Sequence, residues 1–167
     1  MFSLHQKSAY LIILNATMIL RSIGTTFKHN NDGKTLKEYK ICLFKILCEI
    51  FNLIESNEFN ENVLRNSIIE LANQFSISIG QSQKPINVIL KFHYYLNNIN
   101  NNDIKKQLDC PIDKIILKEL GFTNLSLNAI DLEQYNKLQK IINERVQFRI
   151  DFDDIWDRQH LEAEGLL

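Results

Sequence analysis

The chain has 167 residues, of which 45% are apolar, and it contains only five glycines and two prolines. This length and composition predict a single all-α domain over residues 1–167, and they exclude a disordered chain and a turn-rich β-sandwich. The charge is nearly balanced, at 19 Lys and Arg against 20 Asp and Glu, which counts against a dedicated nucleic-acid binder but leaves room for a local basic groove.

The N-terminal half predicts four helices. Ser3 can cap a first helix over residues 4–23, which ends before Gly24, and the polar stretch 27–33 is typical of a turn. Further helices are expected at 35–56, 61–75 and 80–97, because apolar residues recur there at three- and four-residue spacing or because polar breaks bound them. Pro85 is expected in the opening turn of the helix over 80–97, where a missing N–H costs little.

The C-terminal half predicts shorter elements. An asparagine-rich loop over 97–103 precedes a short helix at 104–108, a Pro-Ile-Asp turn and a helix at 114–120 that Gly121 stops. An amphipathic helix is expected over 131–147, followed by a tail that contains another short helix. We therefore expect an orthogonal helical bundle with neither an internal repeat nor a linker.

Several classes of site and partner are not expected. Cys42, Cys48 and Cys110 show no CxxC spacing, which predicts reduced thiols in a cytoplasmic protein. The apolar run 9–20 is interrupted by Asn15 and is shorter than the roughly 20 residues of a membrane span. The acidic tail lacks the loop glycine of a calcium site, so a charge-rich surface helix is the expectation there. We expect no cofactor, no metal and no membrane partner.

The chemistry that can be inferred from the chain lies in residues 79–120. Lys84 stands at the head of one helix, and Pro111-Ile112-Asp113 places a carboxylate at the N-cap of another. An N-cap carboxylate accepts backbone N–H bonds and is stabilised in its ionised form by the positive end of the helix. The structural role of Asp113 is expected in any case, and a catalytic role would be additional to it.

This stretch resembles the helix-hairpin-helix DNA glycosylases, and most closely the archaeal 8-oxoguanine DNA glycosylase type. In that family, as here, Gln-Lys precedes an aromatic-rich helix, a loop, a Pro-Val/Ile-Asp turn and an apolar helix. Lys84 and Asp113 stand 29 positions apart, close to the spacing in the family. The resemblance covers about a quarter of the chain.

The resemblance implies a DNA glycosylase/AP lyase that acts on damaged or modified bases. Lys84 would be the nucleophile that forms a Schiff base at C1′, and Asp113 would stabilise the positive charge on the sugar. A neutral amine is required, together with a base flipped out of the stack against aromatic side chains. The resemblance further implies substrate contacts from Gln83, Lys91, Tyr94, Tyr95 and Trp156. It also implies DNA-backbone contacts from the hairpin residues Gly80, Gln81 and Ser82.

Three other interpretations remain open. One is a purely structural helical protein, which the absence of a pocket beside Asp113 would favour. The family usually has Gly-x-Gly before the lysine, whereas this chain has Gly80 alone, which favours a non-catalytic binding or interaction module of the same fold. Arg21 and His29 are similar in type to the Arg…His motif of helical HEPN ribonucleases. Their seven intervening residues exceed the spacing of that motif.

Overall fold

The computed structural model describes residues 3–30 and 33–166, apart from the side chains at 155, 156, 159 and 160. All regular elements in this range are helical, which confirms the predicted all-α class. The α-helices are α1 (Leu4–Ala16), α2 (Ile19–Asn30), α3 (Leu36–Glu55), α4 (Glu61–Phe75), α5 (Ile79–Leu96), α6 (Asn102–Gln107), α7 (Lys114–Glu119), α8 (Leu132–Asn143) and α9 (Asp154–Ala163). Short 3-10 helices lie at Leu127–Ala129 and Arg149–Asp153.

The prediction of one helix over residues 4–23 is wrong. The chain forms two helices there, α1 and α2, which are bent by 69° at a short break. Met18 adopts a left-handed φ of 58°, and the Thr17 hydroxyl donates to the Ile13 carbonyl at 2.8 Å, so the first helix ends at this point. The predicted turn at 27–33 begins too early, because α2 continues to Asn30. Phe27 is buried there against aromatic rings of neighbouring helices.

Helices α3, α4 and α5 lie within about one residue of their predicted bounds. Each begins at a polar N-cap whose side chain accepts from the first turn, namely Thr35, Asn60 and Ser78. Their apolar stripes form most of the core, together with side chains of α1 and α2. Side chains that are no more than 1% exposed include Leu14, Tyr39, Leu43, Leu47, Leu64, Ile68, Leu71, Ile86 and Ile89.

Helix α5 is the central helix of the bundle. Thirteen of its 18 residues are buried, and α1, α2, α4, α8 and the 3-10 helix Leu127–Ala129 all contact it. It begins at Ile79, because Ser78 provides the cap and Gln81 completes the capping box. Lys84 and Pro85 therefore lie in the second turn, and the predicted positions in the first turn are wrong.

The C-terminal elements pack along most of α5, from Gly80, which donates to Ile130, to Tyr95, which donates to Asp151. The expected helix over 131–147 ends at Asn143, and the chain continues through the 3-10 helix Arg149–Asp153 into α9. This tail contains buried residues, among them Phe152 and Arg149. The segment that joins α6 to α7 is extended and buried at residues 108–112.

Among the described residues, no single helix has the length and apolar character needed to cross a membrane. Within residues 3–30 and 33–166, the bent pair α1 and α2 meets that criterion when its two helices are taken together. Helices α1 and α2 bury Tyr10, Leu14, Ile23 and Phe27 in the protein core.

Candidate functional site

The α4–α5 hairpin is held against the 3-10 helix Leu127–Ala129. Ser76 closes α4 in the left-handed conformation, with φ 50°, and the Ser78 hydroxyl donates to the Leu127 carbonyl at 2.8 Å. A Cβ at Gly80 would lie 2.2 Å from that same carbonyl oxygen. The close approach therefore requires glycine at this position. The single glycine of the hairpin is explained by protein packing.

The backbone N–H groups of the hairpin have acceptors within the protein. Gly80 donates to the Ile130 carbonyl at 3.2 Å, and Ser82 donates to the Ser78 carbonyl at 3.0 Å. Gln81 donates to the Ser78 hydroxyl at 3.1 Å. The structure buries all three residues that the resemblance assigned to the DNA backbone, Gly80, Gln81 and Ser82.

Two glutamine side chains hold the extended segment before α7. Gln83 of α5 accepts from the Ile112 N–H at 3.1 Å and donates to the Ile112 carbonyl at 2.7 Å. Gln139 of α8 makes the same pair of bonds with Cys110, at 3.2 and 2.8 Å. Each amide bonds the N–H and C=O of one residue, as the backbone of a neighbouring β-strand would. It therefore satisfies buried backbone groups that lie outside any helix. We call these contacts the glutamine clamps.

The Gln83 clamp determines where Asp113 begins α7. Asp113 Oδ1 accepts from the N–H groups of Ile115 and Ile116 at 2.8 and 3.0 Å, as predicted for an N-cap. Its Oδ2 lies 3.5 Å from Lys84 Nζ. Because Gln83 precedes Lys84 and Ile112 precedes Asp113, one clamp holds the backbone beside both members of the pair.

The Lys84–Asp113 pair lies at the surface, where a ligand can reach it. The two side chains are 22% and 26% exposed. Asp113 bonds both the N-terminus of α7 and Lys84, through different carboxylate oxygens.

Lys91 lies two turns further along α5, on nearly the same face as Lys84. Its Nζ lies 3.1 Å from Asp153, 3.2 Å from Asp154 and 2.8 Å from Asp157. Burial lowers the pKa of Lys91, but the three carboxylates outweigh this effect and the net shift is upward. Burial raises the pKa of Asp153, and Lys91 opposes that shift only in part.

The two tyrosines expected at the site differ in exposure, since Tyr94 is buried and Tyr95 is exposed. Tyr94 is 7% exposed, and its hydroxyl donates to the Asn101 carbonyl at 3.4 Å, so it belongs to the core. Tyr95 is 40% exposed, and its hydroxyl donates to Asp151. The side chain of Trp156 lies outside the described residues. Gln83 is fully buried, with its amide bonded to the backbone.

A buried ionic cluster lies directly behind the site. The Asp109 carboxylate is 0% exposed and accepts from Arg65, from Arg149 Nε at 2.9 Å and from the Tyr135 hydroxyl at 2.6 Å. Asn87 donates to the Tyr135 hydroxyl at 2.8 Å and to the Gln83 amide oxygen at 3.0 Å. We call these side chains the Asp109 cluster. It connects α4, α5, α8 and the tail to the clamped segment.

Sequence reasoning missed three residues that shape the site: Asp153, Gln139 and Asp109. Asp153 belongs to an acidic tail whose composition predicts only a solvated surface. Gln139 lies in the amphipathic pattern of α8 without a distinguishing neighbour. Asp109 directly precedes Cys110-Pro111. This position before a proline-containing turn is the one sequence signal that indicates a structural carboxylate.

Two open grooves of the surface lie away from the Lys84–Asp113 pair. A groove of about 460 Å³ is lined by residues of α8 and the loop after α7, among them Phe122, Gln134 and Lys137. Another, of about 630 Å³, is lined by α2 and Asn128. Neither includes Lys84 or Asp113 in its lining. In the described part of the chain, no group of three or more His, Cys, Asp or Glu side chains is arranged to hold a metal ion.

No protein-family model, curated protein or solved structure shows a significant match to the chain. Arguments about function therefore depend on the geometry around Lys84 and Asp113 and on the resemblance of residues 79–120 described above.

Proposed function

We propose that the chain is a DNA glycosylase/AP lyase of the helix-hairpin-helix type that acts on damaged or modified bases. The observation that carries the proposal is the contact of 3.5 Å between Lys84 Nζ and Asp113 Oδ2. The two residues stand 29 positions apart, and the fold brings them together at the surface at a helix N-cap. This arrangement supports the roles that the resemblance implies for both residues.

In the proposed reaction, the neutral Lys84 amine attacks C1′ of the target nucleotide. The glycosidic C–N bond breaks as the new bond from C1′ to the lysine nitrogen forms, and the base leaves with the bonding electrons. Asp113 is held in position by its N-cap bonds, and its carboxylate stabilises the positive charge that develops on the sugar. The departing base takes up a proton, and the nitrogen of the new N-glycosyl amine loses one. Cleavage of the C1′–O4′ bond then opens the sugar ring, O4′ takes up a proton, and a Schiff base forms between C1′ and the lysine nitrogen. Loss of a proton from C2′ expels the 3′ phosphate by β-elimination.

Tyr95 is the substrate contact that the geometry supports best. Lys91 lies between it and Lys84 on nearly the same face of α5, but its side chain is buried and its ammonium is bonded to Asp153 and Asp157. A flipped base would contact Lys91 only by displacing one of these carboxylates. Tyr95 offers an exposed ring beyond Lys91 for stacking. Gln83 supports the site from beneath through the clamp on Ile112.

Borohydride trapping tests the nucleophile. We expect a covalent adduct with duplex DNA that contains 8-oxoguanine, uracil or an abasic site, and we expect Lys84→Gln to abolish it. Lys114→Gln is the matched control, because Lys114 is exposed, lies next to Asp113 and forms no ion pair with a described residue. The absence of an adduct on all three substrates, or an adduct that survives Lys84→Gln, contradicts the proposal.

A non-catalytic binding module of the same fold is the second candidate. The observation that favours it is the ion pair itself, since the contact of Lys84 Nζ with Asp113 occupies the amine that would have to attack C1′. The internally bonded amides of the hairpin support it as well. Binding of damaged DNA by folded protein without any trapped adduct would decide in favour of this candidate.

A further inference from the structure

Positive charge is concentrated at the N-terminal end of the chain. Residues 1–48 contain seven Lys or Arg and two Asp or Glu, whereas residues 49–167 contain 12 and 18. No Asp or Glu precedes Asp32. The balanced total charge therefore conceals a basic end and an acidic end.

Helix α2 presents this charge on its solvent face. Its apolar residues Ile19, Leu20, Ile23 and Phe27 are buried, whereas Arg21, Thr25, Lys28 and His29 are exposed. Arg21 and Lys28 stand seven residues apart, so they point in nearly the same direction two turns apart. Neither forms an ion pair with any residue in the described ranges. Their charges are available to a partner.

The open groove of about 630 Å³ runs along this face. It is lined by Met18, Arg21, Ser22, Thr25, Thr26, His29, Asn30 and Asn128. The hydroxyls of Thr25 and Thr26 donate to carbonyls of α2 itself. The other polar side chains of the groove carry groups of the kinds that contact phosphate oxygens in protein–DNA complexes, namely Arg21, Ser22, His29, Asn30 and Asn128. We call Lys28 together with the groove residues the α2 face.

The α2 face is joined to the helix that carries the candidate site. The Thr26 hydroxyl accepts a hydrogen bond from Gln81 Nε2 at 2.7 Å, in the first turn of α5. Lys84 follows in the next turn of the same helix. A ligand along the α2 face would therefore approach the same end of α5 that carries Lys84.

We propose that the α2 face binds the phosphodiester backbone of duplex DNA. The proposal rests on the proposed function for the choice of polyanion, and it deepens that function by naming the surface that holds the substrate. Two observations favour this surface over the α4–α5 hairpin. The hairpin amides donate within the protein, and Lys91 is neutralised by three carboxylates, whereas Arg21 and Lys28 form no ion pair within the part of the chain that the structure describes.

The test measures the affinity of the full chain for a 20-base-pair duplex as a function of salt, by fluorescence anisotropy. Each phosphate contact contributes about 0.9 to the slope of log K against log salt. We expect R21Q/K28Q to reduce the magnitude of that slope by about 1.8. Raising the salt from 50 to 200 mM weakens binding of both proteins, and the factor by which affinity falls should be about ten times smaller for the variant than for the original chain.

The matched control is K137Q/K140Q, which removes the same charge from two exposed lysines of α8. We expect it to leave the slope unchanged. The proposal is overturned if the original chain and R21Q/K28Q have equal slopes. It is also overturned if the two double variants reduce the slope by equal amounts. A duplex that does not bind to the original chain overturns it as well.

Borohydride trapping at saturating DNA in low salt separates this proposal from that for Lys84. An adduct that persists in R21Q/K28Q at high DNA concentration, with a reduced salt slope, supports both proposals. A reduced slope without an adduct in either protein supports the α2 face and contradicts the nucleophile.

Discussion

Two aspartates at the ends of one extended segment, Asp109 and Asp113, have opposite surroundings. Asp109 is fully buried, and two arginines and a tyrosine donate to its carboxylate. Asp113 is 26% exposed and is bonded to the N-terminus of its own helix and to a single lysine. The same carboxylate chemistry is thus used once for stability and once in a place that a substrate can reach.

This difference shows how the fold can support a weakly held site. The Lys84–Asp113 contact alone is a partly exposed ion pair, and such pairs contribute little to the free energy of folding. The Asp109 cluster and the glutamine clamps fix the backbone on which Asp113 stands. Precision at the site therefore comes from buried groups that never touch a ligand.

The largest effect is expected from Asp109→Asn. The substitution keeps the shape of the side chain but removes the buried charge that pairs with Arg65 and Arg149. Arg65 then has no carboxylate partner among the described residues, whereas Arg149 keeps Glu61. We expect a loss of about 3–5 kcal/mol in the free energy of unfolding. Urea unfolding at pH 7, followed by circular dichroism, measures it.

Asp103→Asn is the control for that experiment. Asp103 is 92% exposed and lies 3.6 Å from Lys106, one helical turn away. Its substitution is expected to change stability by less than about 0.5 kcal/mol. Similar losses in both variants would show that Asp109 is no more important to the fold than a surface carboxylate.

An intermediate effect is expected from loss of either glutamine clamp. Gln83→Met and Gln139→Met preserve side-chain length, but each leaves the N–H and C=O of a buried residue unpaired. We expect each to lower the free energy of unfolding by about 2–4 kcal/mol, since an unpaired buried polar group costs about 1–3 kcal/mol. Thermal and urea unfolding measure both variants under identical conditions.

The two clamps should differ in their effect on the site. Gln83 bonds Ile112, the neighbour of Asp113, whereas Gln139 bonds Cys110 further from it. At equal folded fraction, the yield of trapped DNA adduct should fall in Gln83→Met and remain close to normal in Gln139→Met. Equal yields in the two variants would remove the positioning role from Gln83 and leave only its contribution to stability.

Much of the fold follows from local signals. Helices α3, α4, α5 and α7 carry polar N-caps and regular apolar spacing, and their predicted bounds agree closely with the structure. The break between α1 and α2 could not be predicted, because Met18 adopts a positive φ without the glycine or proline that usually marks such a point. The apolar residues on either side of it fit one continuous helix equally well.

Much less of the candidate site follows from such signals. The order of Lys84 and Pro111-Ile112-Asp113 indicated two residues that the structure does bring together. Their supports, Gln139 and Arg149, come from elements 20 to 40 residues away in the chain, and no local pattern pairs a side chain with so distant a partner. A buried Gln83 was likewise unpredictable, since its amide appears polar in sequence and finds its partners, Gly80, Asn87 and Ile112, only in the folded chain.

The smallest effects on stability are expected at the candidate site itself, where they separate two roles of one carboxylate. Asp113→Asn retains an N-cap acceptor and Lys84→Gln removes only a partly exposed partner, so each should cost less than about 1 kcal/mol. Asp113→Ala also removes the cap and should cost about 1 kcal/mol more than Asp113→Asn in urea unfolding. If Asp113→Asn loses trapping while it keeps stability, the charge serves the reaction and the cap serves the fold. If trapping instead follows stability through all three variants, the pair belongs to the structural framework, as Asp109 does.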